Sequence, residues 1–208
     1  MARAEDAARF MIDILRIKAE HGLDDGMTNL RLQKLMYLAQ GYYLAEYDQP
    51  LFAEEIEAWK YGPVVPSIYK KYSIFNKDII DDDPPNEGSL NAEETELILD
   101  VLSRFGKYST GYLVDMTHAP GAPWEQVYKA TKNNRIDREL IRIYFKNQKK
   151  ITRNEEKVRT KLYQEVRRGK TGYILLPEEE FEDWEEYASV SLYHRDRKLR
   201  VNHQVDRR

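Results

Sequence analysis

Apolar residues recur at three- and four-residue intervals between Ala4 and Ala19: Ala7, Phe10, Met11, Ile14, Leu15 and Ile17. This spacing lines one face of an amphipathic helix and leaves the other charged. His21-Gly22 ends it, Asp24-Asp25-Gly26 makes a loop, and Thr28 or Asn29 caps a second helix that runs to about Tyr47. In that helix Leu30, Leu32, Leu35, Met36, Leu38, Ala39, Tyr42, Tyr43 and Leu44 wrap round most of the cylinder, which predicts a helix central to the core. Gly41 sits inside it at a cost of roughly 1 kcal/mol against alanine, and close approach by another element is the expected reason.

After the turn at Asp48-Gln49-Pro50, residues 52–59 alternate Phe52, Glu54, Ile56, Ala58 against Ala53, Glu55, Glu57, Trp59, the pattern of a short extended segment or small hairpin. Tyr61-Gly62-Pro63 reads as a second turn, and residues 64–72 as a short helix with Pro66 in its first turn. The acidic stretch from Ser73 to Ser89, with Asp81-Asp82-Asp83-Pro84-Pro85, predicts a mobile loop that packs poorly. Asn91-Ala92-Glu93-Glu94 has capping-box spacing and opens a helix to about Tyr108 that buries Leu97, Ile98, Val101, Leu102 and Phe105. Ser109 or Thr110 caps a helix over 112–118, a Pro-rich break precedes a short helix at Trp124, and a last helix spans about 137–149.

These elements predict a mainly α fold for residues 1–150, a compact helical domain with room for one short β-hairpin. Residues 151–208 read as a charged C-terminal extension whose α/β character the pattern leaves open: a basic helix from Ile151 to Arg168, short apolar runs, and a basic end from Arg195. Between them Glu178–Glu186 carries seven carboxylates interrupted by Phe181 and Trp184. That segment is either a solvated charge run or a peptide suited to docking in a basic, apolar groove, with Phe181 and Trp184 as its candidate contacts.

Composition narrows the chemistry. The 208 residues contain no cysteine, which removes disulfides, thiolate nucleophiles and cysteine-bearing zinc sites. The charge-studded N-terminus offers neither a signal peptide nor a membrane span, so a cytoplasmic address is expected. A net charge of −3 disfavours a broad nucleic-acid surface, leaving only a local basic patch over 151–170 for such a partner. The four histidines, His21, His118, His194 and His203, lack ligand spacing, and no nucleotide-binding glycine motif or nucleophile-base pairing is present. No cofactor, metal or catalytic residue is therefore assigned, and an enzyme is not expected. His118, at a helix C-terminus, reads as a cation favoured by the helix dipole. Fifteen tyrosines, many between Tyr37 and Tyr72, suit both the rim of a core and a protein interface. Lys34 lies among apolar neighbours, where its stem packs while its ammonium meets a carboxylate or a partner.

Three stretches resemble one family. Leu32-Gln33-Lys34-Leu35-Met36-Tyr37-Leu38-Ala39-Gln40-Gly41, then Pro50-Leu51-Phe52 through Glu57-Ala58-Trp59-Lys60-Tyr61-Gly62-Pro63-Val64-Val65-Pro66, and finally Thr117-His118 with Pro123-Trp124, are similar to the Panacea antitoxin domain of SocA-like and phage-associated GepA-type proteins. The resemblance covers roughly residues 10–146. It implies a helical antitoxin of a type II-like toxin-antitoxin system, in a prophage or phage-defence setting, that neutralises a toxin encoded by an adjacent gene through direct protein contact. It also implies, for SocA-like members, delivery of the toxin to a cytoplasmic protease. Lys34, Tyr37, Trp59, Lys60, Tyr61, Gly62, Pro63, Val64, Tyr69, Thr117, His118 and Trp124 are the motif residues and candidate toxin contacts, with fold maintenance as the competing role. A DNA-binding autoregulator or a proteolytic adaptor are the alternative functions.

Overall fold

The computed structural model describes residues 1–20, 22, 24–81, 90–128 and 134–148. The first helix, α1, spans Ala4–Glu20 and the second, α2, Asn29–Tyr47. A hairpin follows, β1 (Ile56–Trp59) and β2 (Gly62–Val64), then α3 (Pro66–Lys71) and a 3-10 turn at Ser73–Phe75. Next come α4 (Ala92–Phe105), α5 (Thr110–Thr117), α6 (Pro123–Val127), the two-residue strand β3 (Arg135–Ile136) and α7 (Arg138–Lys146). The fold is mainly α with one small antiparallel sheet in the order β2-β1-β3.

The helix ends obey their capping chemistry. Thr28 accepts from the Arg31 N–H, Asn91 and Glu94 form the reciprocal capping box, and Ser109 and Asp137 cap α5 and α7. Each such cap is worth about 1 kcal/mol. Three expectations need correction. The extended segment shrinks to Ile56–Trp59, and the turn lies at Lys60-Tyr61, so Gly62 to Val64 are strand. The sheet gains β3, a pairing too short to leave a period in the sequence. The described part of the stretch after Ser73 is mostly exposed but is pinned at its end: Ile80 is buried, its N–H bonds to the Met27 carbonyl at 2.7 Å, and Ile79 bridges Thr28. Residues 82–89 and the whole extension, with Phe181 and Trp184, lie outside the described residues.

Helix α2 is the axle of the domain, packed by α1, α3, α4, α5, α7 and β2 and buried from Leu32 to Leu44. Gly41 is where Phe145 of α7 approaches; a Cβ there would come within 2.3 Å of the phenyl ring. The polar residues of α2 are buried too, and they hold irregular backbone. The Asn29 side-chain amide donates to the Tyr69 carbonyl, Gln33 Oε1 accepts from the Val65 N–H at 2.9 Å, and Gln40 both accepts from the Phe52 N–H and donates to the Phe52 carbonyl. Asn29, Gln33 and Gln40 share one helix face, and their amides supply the partners that loop backbone groups would otherwise find in water. Arg31 ties α2 to the preceding loop through a two-pronged pair with Asp24, at 2.6 and 2.9 Å, and to the Gly26 and Gly106 carbonyls.

Candidate functional site

The hairpin, α5 and α6 meet over the side of α2 that carries Lys34. Lys34 is 0% exposed, and its ammonium donates to the Pro63 carbonyl at 2.7 Å. No carboxylate lies within salt-bridge distance of it among the described residues. Burial alone drives its proton affinity down, from the ordinary 10.5 to about 7. Of the two partners expected for the ammonium, a carboxylate or another protein, no carboxylate of the described residues meets it, and the Pro63 carbonyl accepts from it.

Gly62 lies against this ammonium with φ +102, a conformation that L side chains rarely adopt, and a Cβ there would sit 2.6 Å from Lys34 Nζ and 2.8 Å from Thr117 Oγ1. Gly62→Ala is therefore expected to cost about 1–3 kcal/mol in urea unfolding through backbone strain. Because Lys34 Nζ is the end of a flexible chain, most of that cost should persist when Lys34→Met/Gly62→Ala is compared with Lys34→Met alone. No difference between those two variants would mean contact and not φ governs the position.

Thr117 is buried and bonds back to the Val114 carbonyl at 2.8 Å. His118, the C-cap of α5, stacks on Trp124 with ring centroids 3.7 Å apart and planes at 15°. Its proton affinity is lowered by burial first and by the Lys34 charge second, against a smaller opposing effect of Asp115. Burial and the Lys34 charge thus oppose the dipole-favoured cation expected from its position, and the ring serves as a stacking partner of Trp124. Trp124 continues the ladder onto Tyr128, at 4.6 Å, and its indole N–H donates to the Trp59 carbonyl at 2.7 Å. Trp59 in turn meets Tyr69 edge-on at 5.0 Å and donates its indole N–H to Glu57. At the hairpin tip Lys60 reaches over the Tyr61 ring.

The twelve motif residues thus divide. Lys34, Gly62, Pro63, Val64 and Thr117 are buried beneath, whereas Trp59, Lys60, Tyr61, Tyr69, His118 and Trp124 reach the surface as one aromatic face, with Tyr61 58% and Tyr69 38% exposed. Tyr37 points elsewhere, edge-on to Phe145 at 5.5 Å, its hydroxyl unpartnered, beside an enclosed space of about 40 Å³ shared with Thr117 and Gln148. That space is water-sized and far below a cofactor pocket. A shallower groove of about 540 Å³ between Asp48 and Arg138 is lined by charges that pair among themselves, such as Arg142 with Asp48 at 2.7 Å. No cluster of His, Cys, Asp or Glu among the described residues could hold a metal, and none of their helices is long and apolar enough to cross a membrane.

Reading the sequence alone missed Tyr128 and Gln33. Tyr128 carries no signal apart from its four-residue spacing from Trp124; Gln33 could have been noticed because it shares one helix face with Asn29 and Gln40.

The motif segments that build this site also carry the relationship to known proteins. A family profile described as Antitoxin SocA-like, Panacea domain, matches residues 32–125, which run from α2 into α6. Antitoxin SocA of Caulobacter vibrioides (strain NA1000 / CB15N) is 34% identical over 162 residues, spanning 68% of this chain and 84% of that protein. The chain belongs to the SocA-like Panacea antitoxin family. Within this family an antitoxin role and a toxin partner follow. No solved structure matches the chain.

Proposed function

We propose that this Panacea-family chain neutralises its cognate toxin, the product of an adjacent gene, by direct protein binding in the cytoplasm, and that the aromatic face of Trp59, Lys60, Tyr61, Tyr69, His118 and Trp124 makes the contact. The observation that supports it is the exposure of Tyr61 at the hairpin turn and of Tyr69 edge-on to the Trp59 ring, with the Trp124 indole bonded to the Trp59 carbonyl. Tyrosine and tryptophan held by packing supply contact area with little entropy left to lose, which is why they dominate binding hot spots. Lys34, Gly62, Pro63, Val64 and Thr117 act by shaping this face from below, and Tyr37 by filling the core between α2 and α7.

Expression of the neighbouring gene should arrest growth, and co-expression of this chain should restore it with a complex that co-purifies. A harmless neighbour ends the pairing. Tyr61→Ser/Tyr69→Ser should keep the folded stability within about 0.5 kcal/mol and weaken the complex roughly 10- to 100-fold. Unchanged affinity would move the contact off this face. The readings as a DNA-binding autoregulator or a proteolytic adaptor drew on residues 151–208 and the 73–89 loop, and no feature of the described residues favours either over toxin binding.

A further inference from the structure

We propose that one water molecule is built into the domain between α2, α5 and α7, where it bridges the hydroxyls of Tyr37 and Tyr144. Two observations carry this. Tyr37 is 2% exposed, and its hydroxyl is buried with no hydrogen-bond partner among the described residues. A buried hydroxyl left so is costly, and native folds rarely leave one unmatched. The same side chain lines the space of about 40 Å³ noted above, enough for a water and far too small for a metabolite. The site lies apart from the aromatic face and does not rest on the toxin reading.

The lining selects the occupant. Tyr37, Tyr144, Thr117 and Gln148 bring polar groups to the space, and among the described residues no carboxylate, lysine or arginine lines it. Such a site offers an ion no counter-charge and suits a small neutral molecule with both donors and acceptors. Burial first and Tyr144 second raise the proton affinity of the Tyr37 hydroxyl, so it stays a protonated donor. Tyr144, half-buried on α7, is thus near enough for its charge to be felt at Tyr37, yet no direct bond joins the two hydroxyls. A bridging water spans a gap of that kind. The Thr117 hydroxyl gives its own proton to the Val114 carbonyl, which leaves its oxygen an acceptor. A water that accepts from Tyr37 and donates to Tyr144 and Thr117 has three partners, the usual number for a buried one.

Phenylalanine keeps each ring and removes only its hydroxyl, so a double-variant cycle in the full chain reads the bridge. Tyr37→Phe and Tyr144→Phe should each lower the folding equilibrium constant, measured in urea, by about 3- to 10-fold. The double variant should fall short of the product of the two by at least about threefold, because the hydroxyls share one water. Hydroxyls with no shared partner would multiply to within about twofold. A crystal structure of the full chain should place a water within about 3.2 Å of both hydroxyl oxygens, and the same position should lose it in Tyr37→Phe. A multiplicative cycle, a Tyr37→Phe variant as stable as the wild type, or a crystal in which the space is dry or filled by a side chain would overturn the proposal.

Discussion

Arg31→Met is expected to destabilise the protein by about 3–5 kcal/mol, a large part of the 5–15 kcal/mol that holds a typical domain together. Asp24, the carboxylate that Arg31 grips, is itself almost wholly buried, with 3% of its side chain exposed. Removing the guanidinium strands that charge in the interior and also leaves the Gly26 and Gly106 carbonyls without their donor. Urea denaturation at neutral pH measures the loss. Asp24→Leu/Arg31→Met should recover part of it, because the stranded carboxylate goes, but not all, because the two carbonyls remain. A single-variant loss below about 1 kcal/mol would show that the pair is a bystander to the joining of α2, the loop before it and the end of α4.

The second buried cation of α2 is expected to behave with the opposite sign. Lys34→Met should stabilise the fold at and below neutral pH, by up to about 5 kcal/mol at roughly 1.4 kcal/mol per tenfold change in proton affinity, less about 1–3 kcal/mol for leaving the Pro63 carbonyl unpartnered. Lys34 binds its proton with an affinity near 7 in the folded chain and 10.5 when free. Between those values the unfolded chain holds a proton that the folded chain has released, so wild-type stability rises with pH across the window. At and below pH 7 the cost of burial is fully present. Above about pH 10 the buried tyrosines Tyr37, Tyr42 and Tyr43, whose hydroxyls resist ionisation through burial, reverse the trend. His118 acts only below its ordinary 6.5 and stays outside the window. Urea midpoints from pH 7 to 9.5 should climb for the wild type and stay flat for Lys34→Met. A flat wild-type profile, or a variant less stable at pH 7, would mean that Lys34 is not paying for its burial.

The contrast bears on the proposed function. A lysine that costs stability where it sits, directly under the hairpin that carries Trp59 and Tyr61, is better understood through what it does for that face than through what it does for the core. In Arg31 the guanidinium and its carboxylate form a structural joint. In Lys34 no carboxylate of the described residues faces the ammonium, which lies beneath the face proposed to reach the partner.

Much of the helical frame was legible in residue order. Three- and four-residue spacing placed α1, α4 and the core position of α2; Thr28, Asn91, Ser109 and Asp137 marked their starts; and Gly41 announced a close approach before Phe145 was seen to make it. Such signals are local, because a helix's hydrogen bonds and caps are settled within a few residues of each position. The hairpin was less clear, since two strands of four and three residues and a third of two have almost no period to read. The motif residues were legible as a set, through the family resemblance, but not as an arrangement.

The sequence by itself determined the main helices, the absence of cysteine chemistry and the family. Only the tertiary structure decided which motif residues face inward and which face out. It set the Pro63 carbonyl against the Lys34 ammonium, and stacked the His118 ring on Trp124 where burial opposes its protonation. The reason is physical: proton affinity, burial and exposure depend on groups brought together from α2, the hairpin, α5 and α6, twenty to ninety residues apart along the chain. No local pattern encodes the dielectric that their packing creates.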